Sequence, residues 1–197
     1  MGGEFLERWL EEVLATPGLT GITDLAEARR VLLEDALRPA LVVRDCHGSV
    51  IDVGSGTGSP GIPLAVELPD REFTLLEAER RKCDFLRRVA SELPNVEVVW
   101  GRAEEQQTDR FGVALAKALA KPPVAAELCL PLVRPGGVAI LWVGESADPE
   151  RVARVAARLS AVLEEVPADG LLVLRKVGRT PPGFPRRPGM AKKRPLA

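Results

Sequence analysis

Ser49 to Gly61 reads Ser-Val-Ile-Asp-Val-Gly-Ser-Gly-Thr-Gly-Ser-Pro-Gly: a short apolar run carries Asp52, and glycines follow at 54, 56, 58 and 61. The pattern predicts a buried strand entering a tight turn where a ligand meets bare backbone. Glycine permits positive φ there and leaves no Cβ between main chain and ligand. A carboxylate at the strand end suits a ligand with positive charge or donors, such as the methionine part of S-adenosyl-L-methionine (SAM). It suits a pyrophosphate poorly. Counted from Gly54, the third glycine of a dinucleotide G-x-G-x-x-G falls on Ser59 and the match fails. Counted from Gly56, it fits through Gly58 and Gly61. An apolar strand followed by D-x-G-x-G-x-G favours SAM, and a dinucleotide-dependent oxidoreductase stays as an alternative on the second count alone.

Three more groups belong to this chemistry. Glu77 ends a second strand about twenty residues after the loop, where an acid can accept both ribose hydroxyls of an adenosine cofactor. It could instead be a helix-start carboxylate. Arg102-Ala103-Glu104 follows a third strand, where the adenine of SAM would lie, or is an ordinary polar loop with a helix cap. Lys117 ends a fourth strand and faces the mouth where a substrate would enter, or is a solvated strand-end lysine. Trp9, Trp100, Trp142 and His47 read as packing and loop residues. Arg80, Arg81, Lys82, Arg87 and Arg88 read as a solvated helix face that could also touch phosphate.

The elements that must hold these groups alternate along the chain. Amphipathic helices are expected over 4–15 and from Asp24 to about Leu37. Strands are expected at 50–53, 73–76, 96–100, 113–116, 138–143 and 171–177, with helices at 62–68, 79–93, 124–133 and 150–163. Such alternation defines an α/β fold, a mostly parallel sheet with helices on both faces and its ligand at the carboxyl ends of the strands.

Length and composition fit this frame. The 197 residues suit one domain, and 46% apolar with 28% charged residues is ordinary globular composition. Net charge is −1 but unevenly spread: −9 on residues 1–169 and +8 beyond them. Three separated cysteines and a single histidine make a metal site improbable. No signal peptide or transmembrane run is visible, so a reduced cytoplasmic protein is expected. The final ~20 residues, rich in Pro and Arg, read as an extended tail that would neutralise phosphates without reading sequence.

The segment 50–65, Val-Ile-Asp-Val-Gly-Ser-Gly-Thr-Gly-Ser-Pro-Gly-Ile-Pro-Leu-Ala, resembles the signature of the GidB/RsmG methyltransferases. Thr74 to Glu77 with Lys82, Phe85 and Leu86 is similar to the family's next block, and Arg102-Ala103-Glu104 to its adenine-side loop. The tail from Arg179 to Gly189, then Lys192 to Leu196, resembles the family's basic C-terminal segment. The resemblance implies a Rossmann-like class I SAM-dependent methyltransferase with a seven-stranded, mostly parallel sheet. Residues 1–40 would be a helical extension, 41–178 the methyltransferase domain and 179–197 the basic tail. It implies methyl transfer to N7 of a guanine in small-subunit (16S) ribosomal RNA; a monomer with no metal and no membrane contact is expected.

Carried over residue by residue, Gly54, Ser55, Gly56, Gly58 and Ser59 would serve the methionine and ribose side, with Asp52 near the sulfonium or amino group, directly or through the loop. Glu77 would take the ribose, and Ala103 and Glu104 the adenine side. Lys117 would stand at the cofactor–substrate junction, as both cofactor contact and catalytic residue. Arg179, Arg186, Arg187, Lys192 and Lys193 would bind RNA. The chain departs from the family pattern at Leu32, Ala36, Ser59, Lys117 and Trp142-Val143, with lysine replacing arginine at 117. These changes motivate a second reading, a methyltransferase-like RNA- or ribosome-binding protein with weak or no catalysis.

Overall fold

The computed structural model describes residues 2–164 and 170–197. Seven strands form one sheet: β1 (Val50–Val53), β2 (Phe73–Glu77), β3 (Val96–Trp100), β4 (Phe111–Ala116), β5 (Val133–Trp142), β6 (Ala161–Glu164) and β7 (Leu171–Lys176). Their order is β3-β2-β1-β4-β5-β7-β6, and β7 alone runs against the others. The chain winds outward from β1 through β2 to β3, then returns to place β4 on the other side of β1. That reversal opens a crevice beyond the carboxyl ends of β1 and β4.

β1, β2 and β4 are buried along their whole length. This is why they read as near-continuous apolar runs rather than alternating ones. Alternate residues still part to opposite faces. Ile51, Ala114 and Leu141 pack in a core with α7 (Pro122–Cys129) and α8 (Pro149–Arg158). Val50, Leu115 and Ile140 pack on the other face with residues of α4 (Ala40–Asp45) and α5 (Gly61–Glu67). A third core joins α1 (Gly2–Ala15) to α5, β2 and α6 (Arg80–Ala90), with Trp9, Ile62, Leu75 and Leu86 at its centre.

The helix expected after Asp24 forms, and the Asp24 carboxylate caps it by accepting from the Glu27 N–H at 2.8 Å. It is not uniformly α: α2 (Leu25–Ala28) and α3 (Asp35–Leu37) flank a π-helical stretch, Arg29–Glu34. Two carbonyls of this stretch accept side chains from the sheet's ligand end.

Three expectations are corrected. The helix expected over 150–163 stops at Arg158, because Ser160 turns the chain with φ of +55° and residues from Ala161 pair with β7. The expected helix over 124–133 ends at Cys129. Pro131 lacks the N–H that would continue it; a short 3-10 turn follows and the chain enters β5 at Val133. The tail is packed, not extended. It carries the last element of the chain, α9 (Met190–Lys193), whose Ala191 is buried.

The tail's docking is polar. Arg186 forms a bidentate pair with Glu127 on α7, at 2.5 and 2.6 Å, and the Glu127 side chain is 4% exposed. Lys176 is wholly buried, and its ammonium donates to Leu130 O (2.9 Å) and Thr180 Oγ1 (2.8 Å). Thr180 in turn donates to the Asp109 carboxylate. Burial pushes the Lys176 pKa down while Asp109 opposes the fall. Arg175 pairs with Glu164. Three of the eight cations after Asp169 therefore hold the fold together.

Candidate functional site: a cofactor cavity at the carboxyl ends of β1, β2 and β4

A cavity of about 500 Å³ lies in the crevice, a size suited to one small-molecule ligand. Its walls include Gly54, Ser55, Gly56, Thr57 and Ser59 from the loop after β1, and Glu77, Ala78 and Lys82 beyond β2. Arg102, Ala103 and Glu104 come from the loop after β3, and Lys117 to Leu119 from the end of β4.

The glycine loop is shaped by its backbone. Gly54, Gly56 and Gly58 have φ of +75°, +56° and +99°. At Gly58 a Cβ would also strike Ile62 Cδ1 at 2.3 Å. At Gly56 a Cβ would meet nothing closer than 3.8 Å, so the missing side chain there leaves open room over the backbone. Pins fix the loop in place. Gly54 N and Ser55 N donate to Leu76 O, Ser55 Oγ donates to Asp52 O (2.9 Å), and Trp9 Nε1 donates to Thr57 O (2.9 Å). The Trp9 contact spans 48 residues and had no sequence signal beyond an apolar helix face.

Glu77 braces the loop from below. One carboxylate oxygen accepts from Gly56 N (2.9 Å), the other from Glu79 N (2.8 Å). Each oxygen keeps acceptor capacity, and the residue lines the cavity, so an adenosine diol has a place to donate.

Asp52 does not line the cavity. It lies beneath the loop, 1% exposed, and accepts from Gly61 N at 3.1 Å. Asp52 therefore holds the loop through Gly61 and forms no part of the cavity wall. Burial pushes its pKa up to about 7, against the Gly61 hydrogen bond; Glu77 adds to the rise and Lys117 opposes it. Between the ordinary carboxylate value near 4 and about 7, the folded chain holds a proton that the unfolded chain has lost. Stability falls as pH rises through that window, and the loss is complete above it. Asp52→Asn keeps an acceptor for Gly61 and removes the charge. In urea unfolding it is expected to be ~2–4 kcal/mol more stable than the parent at pH 8 and level with it near pH 4. A variant less stable at pH 8 would show that the fold needs the ionised form.

The part of the wall formed by Leu32, Ser59 and Lys117 is backed by hydrogen bonds. Lys117 Nζ donates to Val31 O (2.8 Å) and pairs with Asp35 at 3.2 Å. Ser59 Oγ donates to Leu32 O (2.7 Å), and Trp142 Nε1 to Asp35 O (3.1 Å). The positions 32, 59, 117 and 142, singled out separately in the sequence, thus meet around the π-helical stretch. Ser59 lines the cavity but its hydroxyl points to Leu32 rather than to a ligand.

Beside the loop after β3 the cavity is closed by the tail, which the sequence did not indicate. Gly189, Ala191 and Lys192 line the cavity, and Gly189 N donates to Glu104 Oε1 at 2.9 Å. Of the cations expected on RNA, Arg186 is held by Glu127. Arg179, Arg187, Lys192 and Lys193 are exposed and form no ion pair among the described residues. No metal-ligating cluster and no helix long and apolar enough to cross a membrane occur among the described residues.

Solved structures with this topology include a T. thermophilus 16S rRNA N2 methyltransferase in complex with AdoMet and guanosine. Its TM-score is 0.54 at 16% identity, over 69% of this chain and 37% of that one. A geranyl diphosphate methyltransferase in complex with SAM gives 0.60 at 13% identity, over 85% and 95%. The fold is the Rossmann-like class I fold of SAM-dependent methyltransferases. The profile of the GidB family, rRNA small subunit methyltransferase G, matches residues 4–168. The ribosomal RNA small subunit methyltransferase G of Synechococcus elongatus is 37% identical over 90% of this chain and 82% of its own length; that of Thermotoga neapolitana is 37% identical over 96% and 89%. The chain belongs to this family, and the dinucleotide alternative falls away.

Proposed function

We propose that this chain transfers a methyl group from SAM to N7 of a guanine in small-subunit (16S) ribosomal RNA, working in the cytoplasm as a monomer. The observation that carries the reading is the cavity itself: a pinned glycine loop and Glu77 on one side, Lys117 at the substrate-side wall. When bound, SAM supplies a methyl group on a sulfonium, which an unprotonated ring nitrogen accepts without a general base.

The chain's own task is therefore alignment and exclusion of water. The loop from Gly54 to Gly58 offers backbone to the methionine and ribose side, and Glu77 orients the diol. Ala103 and Glu104 bound the adenine side. Lys117, fixed by Val31 and Asp35, holds a positive charge where the substrate enters. The free cations Arg179, Arg187, Lys192 and Lys193 hold RNA phosphate.

One observation favours the second reading, an RNA-binding relative with weak catalysis: the Lys117 ammonium already has two partners. Tritium transfer from labelled SAM to unmodified 16S rRNA and to small subunits separates the two. Incorporation near one methyl per RNA is expected. RNA binding without incorporation would put the second reading first.

A further inference from the structure

Trp100 stands apart from the other two tryptophans. Trp9 is buried and Trp142 half-buried, whereas Trp100, at the end of the edge strand β3, is 55% exposed. A large aromatic open to water in an otherwise well-packed chain asks for a partner. Its ring is nonetheless fixed. The indole N–H donates to Ala78 O at 3.0 Å, and the Arg80 guanidinium lies 5.5 Å from the ring centroid.

The surroundings say what the partner is. Trp100 precedes Gly101 and Arg102, which line the cofactor cavity together with Ala78, Lys82 and Lys192. The ring therefore sits on the cavity's outer rim. Arg80, Arg102 and Lys192 are exposed and form no ion pair among the described residues. The nearby acids are engaged: Glu79 with Lys82, Glu104 with Gly189 N, Glu105 with Arg102 N. The rim is thus an oriented aromatic surface among unpaired cations. An apolar protein partner would leave those cations unanswered, and a duplex would offer the ring no open base.

We propose that Trp100 and Arg80 form a stacking platform for an unpaired base of RNA, with Arg102 and Lys192 taking the flanking phosphates. The platform rests on the RNA-methyltransferase reading and deepens it. It lies beside the adenine side of the cavity, away from Lys117, so it grips a nucleotide other than the methylated one. Base–aromatic stacking tolerates any sequence, and single-stranded RNA is the form in which bases are free to stack.

The test is fluorescence anisotropy with a fluorescein-labelled, unstructured twelve-nucleotide RNA, comparing the full chain with Trp100→Ala, Trp100→Phe and Arg80→Ala. Trp100→Ala is expected to bind about 10-fold more weakly, Trp100→Phe to retain most of the affinity, and SAM affinity to stay unchanged in both. Arg80→Ala should weaken binding while leaving the salt slope, which counts phosphate contacts, nearly unchanged. With rRNA as substrate, Trp100→Ala should raise KM for RNA and leave kcat within about 2-fold. Equal RNA binding by the parent and Trp100→Ala, or no binding of the single strand by the parent, would overturn the platform. Methyl incorporation by the parent is scored separately, so the platform and the methyltransferase reading fail by different results.

Discussion

Glu77→Ala is expected to weaken SAM binding about 100-fold, or ~3 kcal/mol, in a calorimetric titration. Two losses combine. The ribose loses a charged acceptor, and Gly56 N loses the carboxylate that fixes the loop over the cofactor. Glu77→Gln keeps one acceptor without the charge and should fall between the parent and the alanine variant. Glu77 is 8% exposed at the carboxyl end of β2, so unfolding temperatures must accompany the titrations. An alanine variant that stays folded and binds SAM within about 3-fold of the parent would remove Glu77 from the site.

Arg186→Ala should destabilise the whole chain by ~3 kcal/mol, because it strands the Glu127 carboxylate in the interior without a partner. For a chain of this size that is a fall of about 6–12 °C in Tm. SAM affinity should fall as well. The segment that Arg186 anchors places Gly189 against Glu104 and Ala191 in the cavity wall. Combining the change with Glu127→Leu removes the stranded charge and should recover part of the stability but not the cofactor affinity. Removing residues 179–197 should act in the same direction, with Lys176 also losing Thr180. An Arg186→Ala variant with the parent's Tm and SAM affinity would show that the tail is an independent RNA arm.

The cofactor half of the site was legible because it is local. The glycines that follow the run 50–53 and the acid at 77 lie at the carboxyl ends of neighbouring strands, and a wound parallel sheet gathers such ends in one place, whereas Asp52 stays beneath the loop. Lys117 was legible on the same ground. The tail was not. Its composition favours solvation, and its docking depends on Arg186 meeting Glu127 across 59 residues and on Thr180 meeting Asp109 across 71. Neither contact leaves a periodic trace. Strand β6 was missed because four residues after an amphipathic helix extend the same apolar pattern, and only the turn at Ser160 separates them. The clustering of positions 32, 59, 117 and 142 likewise needed the fold to appear.

The most direct measurement is the identity of the methylated nucleoside. Unmodified 16S rRNA is incubated with the purified chain and SAM, digested to nucleosides and analysed by mass spectrometry against standards. The geometry and family predict 7-methylguanosine at about one per RNA, lost on Glu77→Ala. Methylation on N2, on another base, or on none would contradict the assignment.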